Sequence, residues 1–286
     1  MMQLINRFID FLNRKNIVLF LGIVFCAFLV LITIFAPLLE SHDPTLMSPS
    51  NTFLSPCAEY PFGTDNMGRC ILCRVMEGSR ISLITAALVI IFSAASGTLI
   101  GLFSGYCGGK TDAVIMRITD IFLAFPTIIF ALAISSAFGG GQRNLIIAIT
   151  FIQWTRYARV TRGEVILLKN AEFIEAAKAM GNTGGGIIFR YLLPNIASKI
   201  LILMSLDIGS IILYCASLSF LGLGAQPPSP DWGAMISDGK EYLRYSSWMS
   251  LFPGLAIAFS ALAFNMLGDG LRDYIDPRMR ESIAAE

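Results

Sequence analysis

Charged residues are scarce in this sequence, and their scarcity excludes an ordinary soluble protein. Only 14% of the 286 residues are Asp, Glu, Lys or Arg, whereas soluble domains carry roughly 25%. The net charge of +1 points to neither a nucleic-acid nor an acidic partner. Histidine is nearly absent, and the single His42 excludes a His-rich metal cage. By contrast, 55% of the residues are hydrophobic and the mean hydropathy is +0.67, which predicts an integral membrane protein.

The sequence also lacks a nucleotide-binding loop. No Gly-x-x-x-x-Gly-Lys-Ser/Thr motif occurs in it, and the stretch "GGGQR" at 139–143 has neither the preceding strand nor the following Lys-Ser/Thr that such a loop requires. We interpret 139–143 as a tight external turn. The chain is therefore expected to bind no ATP and to contain no catalytic residues, so that any nucleotide site lies on another subunit.

The six cysteines follow no zinc-finger or disulfide-scaffold spacing. Cys70 and Cys73 do have the C-x-x-C spacing of redox and metal sites, and Cys57 precedes them in the same loop. A thioredoxin-like site would need a βαβ pattern around it, and a metal site would need more soft ligands than these. We expect plain thiols or a structural disulfide and no metal site, with a metal relay as the alternative.

Six apolar stretches predict transmembrane helices, since a hydrocarbon core about 30 Å thick needs roughly 20 residues of helix. Pro126 is expected to kink the third of them. The first is too long for the core of a signal peptide and has no small-residue cleavage site, so we interpret it as a retained helix. The predicted spans are 17–39, 81–103, 121–138, 142–160, 200–223 and 246–268.

The distribution of basic residues predicts the orientation in the membrane. Most of the 21 Lys and Arg residues fall in the termini and in the loops at 104–120 and 156–199. Short loops rich in Lys and Arg remain in the cytoplasm. Both termini are therefore expected to be cytoplasmic, and so is the long loop that precedes the fifth span.

That loop has a helical pattern of its own. A helix is predicted over 164–181, with Ile166, Phe173, Ala177 and Met180 on one face. The glycine-rich stretch 183–186 is predicted to be a hinge, followed by a short helix over 187–193 that Pro194 ends. The small residues would leave a shallow face that a neighbouring protein could approach, and the alternative is a helix that lies on the bilayer surface.

The residues of this loop resemble a known motif. Glu-Ala-Ala, then Gly after three residues and Leu-Pro twelve residues later, resembles the EAA loop of permease subunits in binding-protein-dependent ABC importers. The matching residues are Glu175, Ala176, Ala177, Gly181, Leu193 and Pro194. Four further stretches are similar to the dipeptide, oligopeptide and nickel branch of this family. They are "PFGTDNMGR" (61–69), "GSRISL" (78–83), "LSFLGLGAQPPSPDWGAMI" (218–236) and "FNMLGDGLRDYIDPR" (264–278). Departures from the family pattern occur at 184–186, at Tyr191 and at the two cysteines Cys70 and Cys73.

The resemblance implies an all-α fold, the type I ABC importer permease fold, in the bacterial inner membrane. It divides the chain into an N-terminal helix with an external loop (1–77), a permease domain (78–269) and a cytoplasmic tail (270–286). It further implies a second, related permease, two cytoplasmic ATPase subunits that carry ATP and Mg, and an extracytoplasmic substrate-binding protein. The EAA loop would dock on an ATPase, and the chain itself would hold no cofactor.

Asp207 is the one ionisable residue well inside an apolar stretch. An Asp at a helix centre costs about 2.5–3.5 kcal/mol on insertion scales, so it should face a cavity or a partner. We expect it either in the translocation pathway or bonded to a neighbouring helix.

The cargo is less well specified than the family. The stretch "SLDIGSIIL" (205–213) favours nickel, carried as a chelate, slightly over short peptides. A secondary transporter is a rival, but such proteins commonly show repeated halves and several ionisable groups at mid-membrane. A membrane scaffold is a second rival, although it would not need a coupling loop.

Overall fold

The computed structural model describes residues 14–275, and this part of the chain is almost wholly helical. It contains no β-strand, only an isolated bridge between Thr64 and Cys70. The predicted all-α fold is therefore confirmed. The helices are α1 (Arg14–Leu39), α2 (Ile71–Cys107), α3 (Gly109–Leu123), α4 (Thr127–Phe138), α5 (Gln142–Leu168), α6 (Glu172–Ala179), α7 (Gly184–Ile187), α8 (Leu193–Phe220), α9 (Trp232–Gly239) and α10 (Trp248–Ile275). A π-helical turn, Ile188–Leu192, joins α7 to α8.

Four helical stretches in the described part of the chain are long and apolar enough to cross a membrane. They are Ile17–Leu39, Ile71–Cys107, Gly184–Phe220 and Trp248–Tyr274. They overlap the predicted spans 17–39, 81–103, 200–223 and 246–268. A run of at least 20 apolar residues satisfies its backbone polar groups in lipid only as a helix. The chain is therefore a multi-pass membrane protein.

The predicted span 121–138 is broken rather than kinked. Helices α3 and α4 meet at an angle of 91°. Pro126 precedes α4 with an extended backbone, at φ −58° and ψ 124°. A proline has no N–H to donate and disfavours helical geometry at the residue before it, so the helix is interrupted here. The pair counts as a fifth span only if the two helices cross the membrane together.

The fourth predicted span, 142–160, lies within α5, which carries more charge than a span of typical composition. Arg143, Arg156, Arg159 and Arg162 all lie in this helix. The count of six transmembrane helices is therefore not established: four stretches qualify by length and composition, and five with the bent pair.

A stripe of glycines lets α5 lie close against α2. A Cβ atom on Gly97 would lie 2.2 Å from the Trp154 carbonyl oxygen, and one on Gly101 would lie 2.5 Å from the Ala158 carbonyl oxygen. A third glycine four residues on, Gly105, faces the same helix. Small residues at this spacing allow two helix backbones to approach in a membrane, where packing replaces the hydrophobic effect as the main force between helices.

The segment between α8 and α10 is fastened to the first half of α2. Asp231 caps α9 by accepting a hydrogen bond of 3.0 Å from the Gly233 backbone N–H. Its second carboxylate oxygen accepts a hydrogen bond of 3.1 Å from Ser82 of α2. The buried Trp232 donates from its indole N–H to the Val75 carbonyl at 2.9 Å. These bonds close one end of the helical bundle.

Candidate coupling surface and intramembrane ion pair

Helix α6 carries three of the residues assigned to the coupling motif. Its eight residues are held to the protein along one side, where Ile174 and Ala177 are fully buried. Ile174 belongs to a buried cluster that joins α6 to α2, α5, α7 and α8. The other members of the cluster are Leu102, Val165, Ile187, Ile188, Leu192 and Ile196. The remaining residues of α6 are exposed, so the helix presents a free face on a fixed base.

The single helical face predicted over 164–181 does not form. Of Ile166, Phe173, Ala177 and Met180, only Ala177 is buried, whereas Phe173 is 40% and Met180 is 71% exposed. The reason is a break: α5 ends at Leu168 and α6 begins at Glu172, so 164–181 is two helices and not one. The turn between them changes the direction of the side chains, and periodicity cannot be carried across it.

The outward face of α6 is small and acidic. At 100° per residue, the positions opposite Ile174 and Ala177 are occupied by two glutamates and two alanines. They are Glu172, Glu175, Ala176 and Ala179, all exposed. A face of this shape allows close approach of a second protein and offers carboxylates to its basic side chains.

Gly181 ends α6 in a way that only glycine does without strain. The Asn182 N–H donates to the Ala177 carbonyl at 3.2 Å and the Gly181 N–H donates to the Lys178 carbonyl at 2.9 Å. This pair of bonds is the Schellman motif, which needs a left-handed residue after the helix. Gly181 supplies it, with φ at +80°.

The glycines that follow are not the predicted hinge. Thr183 caps a new helix by accepting a hydrogen bond of 3.3 Å from the Gly186 N–H, and α7 begins at Gly184. Helices α6 and α7 are therefore separated by a short turn at 180–183. Of the hinge expected over 183–186, the three glycines are helical. The threonine cap contributes about 0.5–2 kcal/mol, which offsets part of the roughly 1 kcal/mol that each glycine costs in a helix.

Pro194 does not end a helix, contrary to prediction. It lies in the first turn of α8, directly after the π-helical turn. In that turn the Leu193 N–H donates to the Ile188 carbonyl, five residues back. The wider turn accommodates a proline, which has no N–H to donate and clashes in a continuous α-helix. Leu193 is half-buried and Pro194 is exposed, and the helical path runs unbroken from Gly184 to Phe220.

Asp207 lies deep in α8 and makes an ion pair. Its side chain is 1% exposed, and its Oδ1 atom is 3.0 Å from Arg156 Nη1 of α5. Arg156 is 50% exposed, so the pair connects a buried carboxylate to the surface. The Tyr157 hydroxyl is near the same carboxylate, but neither it nor Asp207 Oδ2 has a hydrogen-bond partner of ordinary geometry within the described residues. A second pair, Glu164 with Lys199, also joins α5 to α8.

Two more arginines of α5 bind the bent pair of helices. Arg162 Nη2 lies 2.5 Å from Asp112 Oδ2, and Arg159 Nη2 lies 2.5 Å from Asp120 Oδ1. Both aspartates are on α3. We did not predict these partners. The signal was present, since Arg156, Arg159 and Arg162 recur at intervals of three and so share a face of α5.

The cysteines are thiols in the described chain, and two of them are adjacent. Cys70 and Cys73 are buried, with their sulfur atoms 3.1 Å apart, whereas Cys57 is exposed. His42, which the sequence places far from them, lies beside the two buried thiols.

Comparison with known proteins identifies the family. Residues 97–281 match the family described as binding-protein-dependent transport system inner membrane component. The chain is 43% identical over 267 residues to the dipeptide transport system permease protein DppC of Alkalihalophilus pseudofirmus. The matched region covers 93% of this chain and 88% of that protein.

Two further relatives match most of the chain. It is 39% identical over 250 residues to the probable D,D-dipeptide transport system permease protein DdpC of Escherichia coli K12, with 87% of this chain and 84% of that protein covered. It is also 39% identical over 257 residues to the glutathione transport system permease protein GsiD of Shigella sonnei, with 90% and 85% covered. Together with the membrane-spanning helices, these matches show that the chain belongs to the binding-protein-dependent inner-membrane permeases of ABC importers.

Proposed function

We propose that this protein is a membrane-spanning subunit of an ATP-driven importer of short peptides. It would pair with a related permease, with two ATPases on the cytoplasmic side and a substrate-binding protein outside. The chain itself contributes no covalent chemistry. The observation that carries the proposal is α6: a short helix with a free acidic and small face, anchored by Ile174 and Ala177 to the helices that cross the membrane.

Peptides are the cargo that the comparisons favour. The relatives are named for dipeptides, D,D-dipeptides and glutathione, which are all short peptides or their close analogues. The slight preference for nickel drawn from 205–213 finds no support among them. We therefore take the peptide alternative as the proposed cargo.

The coupling mechanism follows from continuity of the backbone. ATP-driven dimerisation of the ATPases would move α6, which is joined by a capped turn to α7. From Gly184 to Phe220 the chain is helical without a break. Displacement at α6 is therefore passed to the spanning part of α8, and the helices open outward to receive cargo. The ATPases act by binding the two conformations with different free energies.

We further propose that Asp207 and Arg156 line the translocation pathway. Arg156 is half-exposed on the surface of this chain, where the second permease would lie, and it is paired with the buried Asp207. A guanidinium at this place suits the carboxylate of a peptide, because Arg binds carboxylates with two parallel hydrogen bonds. The Asp207 carboxylate would then hold the Arg156 guanidinium in place and partly balance its positive charge.

Uptake in cells that lack and then regain this protein tests the cargo. Labelled dipeptide should enter the cells only when the protein is present. An excess of unlabelled dipeptide or of glutathione should compete with this uptake, whereas an excess of nickel should not. Restored nickel uptake that ignores dipeptide would overturn the peptide assignment in favour of nickel.

The coupling surface is tested separately, with Ala176→Arg on the outward face of α6. The larger cation should block close approach, so that the ATPases no longer co-purify with the permease and uptake is lost. Asn170→Arg, in the exposed turn before α6, is the matched control and should keep both. Equal behaviour of the two variants would contradict docking through this face.

A further inference from the structure

One imidazole and two thiols lie together at the N-terminal end of α2. The ligand atoms of His42, Cys70 and Cys73 are all within 4.8 Å of one another. Both cysteines are buried, at 2% and 0% exposure, and His42 is half-buried. We propose that these three residues form a binding site for a thiophilic divalent metal ion, with Zn²⁺ as the ion whose ligand preferences they match.

The spacing of the three groups is close to what the ion requires. With Zn–S bonds of about 2.3 Å, two thiolates of a tetrahedral site stand ~3.8 Å apart. The two sulfur atoms of Cys70 and Cys73 are 3.1 Å apart. An expansion of less than 1 Å, by rotation of side chains, therefore brings both to bonding distance. The C-x-x-C spacing on the first turn of a helix is what directs both thiols to one point.

His42 is oriented by two neighbours. Its Nδ1 atom lies 2.9 Å from the Ser41 hydroxyl oxygen, and its ring stacks on Tyr60 with 4.7 Å between ring centroids. A metal-bound histidine is commonly held by a hydrogen bond at its ring and by packing on its face, which limits its rotation and favours binding. Ser41 also lies 3.9 Å from the Cys73 sulfur, so the hydroxyl borders the same centre.

An open cavity borders the cluster on the side of His42. It has a volume of 630 Å³, and His42 lies in its wall. Glu40, Asp43 and Glu77 line it against the single basic residue Arg80. The Glu40 Oε1 atom is buried without a hydrogen-bond partner within the described part of the chain. Such an excess of carboxylate attracts a cation, and the cavity leaves space for water as the fourth ligand that three protein ligands require.

This site is independent of the proposed transport. It lies at the opposite end of α2 from the coupling helix, and Cys57, the other cysteine of the same loop, is exposed and takes no part in the cluster. From the sequence we expected no metal site, because Cys57, Cys70 and Cys73 offer too few soft ligands. The fold brings an imidazole, His42, beside Cys70 and Cys73.

The experiment uses the full-length protein, purified in a reducing agent without thiols. It is equilibrated with Zn²⁺, passed through a desalting column and analysed for metal by mass spectrometry. We expect one Zn²⁺ per chain in the parent protein and in the control Cys57→Ser. We expect at least a tenfold lower content in Cys73→Ser, and an affinity weakened by about tenfold or more in His42→Gln.

Co²⁺ provides a readout that does not depend on the variants folding. Bound by two thiolates, it gives an intense charge-transfer absorption in the parent protein, and its absence would overturn the proposal. Zinc content unchanged by Cys73→Ser would do so as well. So would recovery of a Cys70–Cys73 disulfide from membranes whose thiols were blocked before extraction.

Discussion

Among single residues, Gly181 shows how the proposed coupling surface can depend on one backbone angle. Its φ of +80° lies in the left-handed region, and an added Cβ atom would meet nothing within 4 Å. Any effect of Gly181→Ala is therefore conformational, at a cost of roughly 1–2 kcal/mol. We expect the end of α6 to fray and ATP-dependent uptake to fall several-fold, as measured in proteoliposomes with the ATPases present.

Two variants separate this effect from a loss of bulk stability. Gly181→Asn should retain more uptake than Gly181→Ala, because Asn adopts the left-handed conformation more readily. Gly163→Ala, at an exposed helical position with open space around it, should leave uptake unchanged. An equal loss of uptake in the Ala and Asn variants would show that the Schellman turn does not transmit movement from the ATPases.

The second prediction for single residues concerns the Asp207–Arg156 ion pair. Asp207→Asn should raise the KM for peptide uptake, because Arg156 loses the charge that positions it. Arg156→Gln should do the same, and the double variant should show a coupling free energy of about 0.5–3 kcal/mol. Uptake kinetics in proteoliposomes with a fixed amount of protein measure all three.

The matched control is the Asp120–Arg159 pair, which joins α3 to the same helix α5. Both of its side chains are more than half exposed, and exposed pairs contribute about 0–1 kcal/mol. Asp120→Asn should leave the KM unchanged. A purely structural role for Asp207 would instead lower the yield of folded protein at constant KM.

At the scale of helices, the glycine stripe of α2 determines how closely α5 can approach. In Gly97→Ala the new methyl group would meet the Trp154 carbonyl oxygen at 2.2 Å, and backbone cannot rotate away as a side chain can. We expect a destabilisation of about 1–3 kcal/mol, the usual cost of overpacking. It is measured as a lower thermal unfolding midpoint in detergent, against Gly163→Ala as the control. Equal midpoints would mean that the two helices are free to separate.

At the scale of the whole molecule, two exposed cysteines report the orientation. Cys57 and Cys107 are exposed and lie at opposite ends of α2, while the other four cysteines are buried. With cytoplasmic termini, a membrane-impermeant maleimide should label Cys57 in intact cells and Cys107 only in inside-out vesicles. Peptide mass spectrometry identifies the labelled residue. Labelling of Cys107 from outside would reverse the proposed orientation.

Prediction succeeded where a local pattern carries the information. The apolar stretches around α1, α2, α8 and α10 were found because each pattern lies within one helix. It failed at Pro194, which was expected to stop a helix and instead begins α8 after a π-helical turn. It failed at Pro126 in the opposite sense, since the expected kink is a right-angled break. A proline in the sequence shows that one α-helical hydrogen bond is missing. How the backbone adjusts to the missing hydrogen bond depends on the neighbouring helices.

The class of protein can be read from the amino-acid sequence alone, because its composition requires a membrane and the EAA spacing identifies the family. Which distant residues meet depends on the tertiary structure. It placed Arg156 beside Asp207 and His42 beside Cys70 and Cys73. The physical reason is that hydrophobic period and turn chemistry act over a few residues, whereas the partner of a buried polar group depends on which helix faces pack together. That choice is a property of the whole chain.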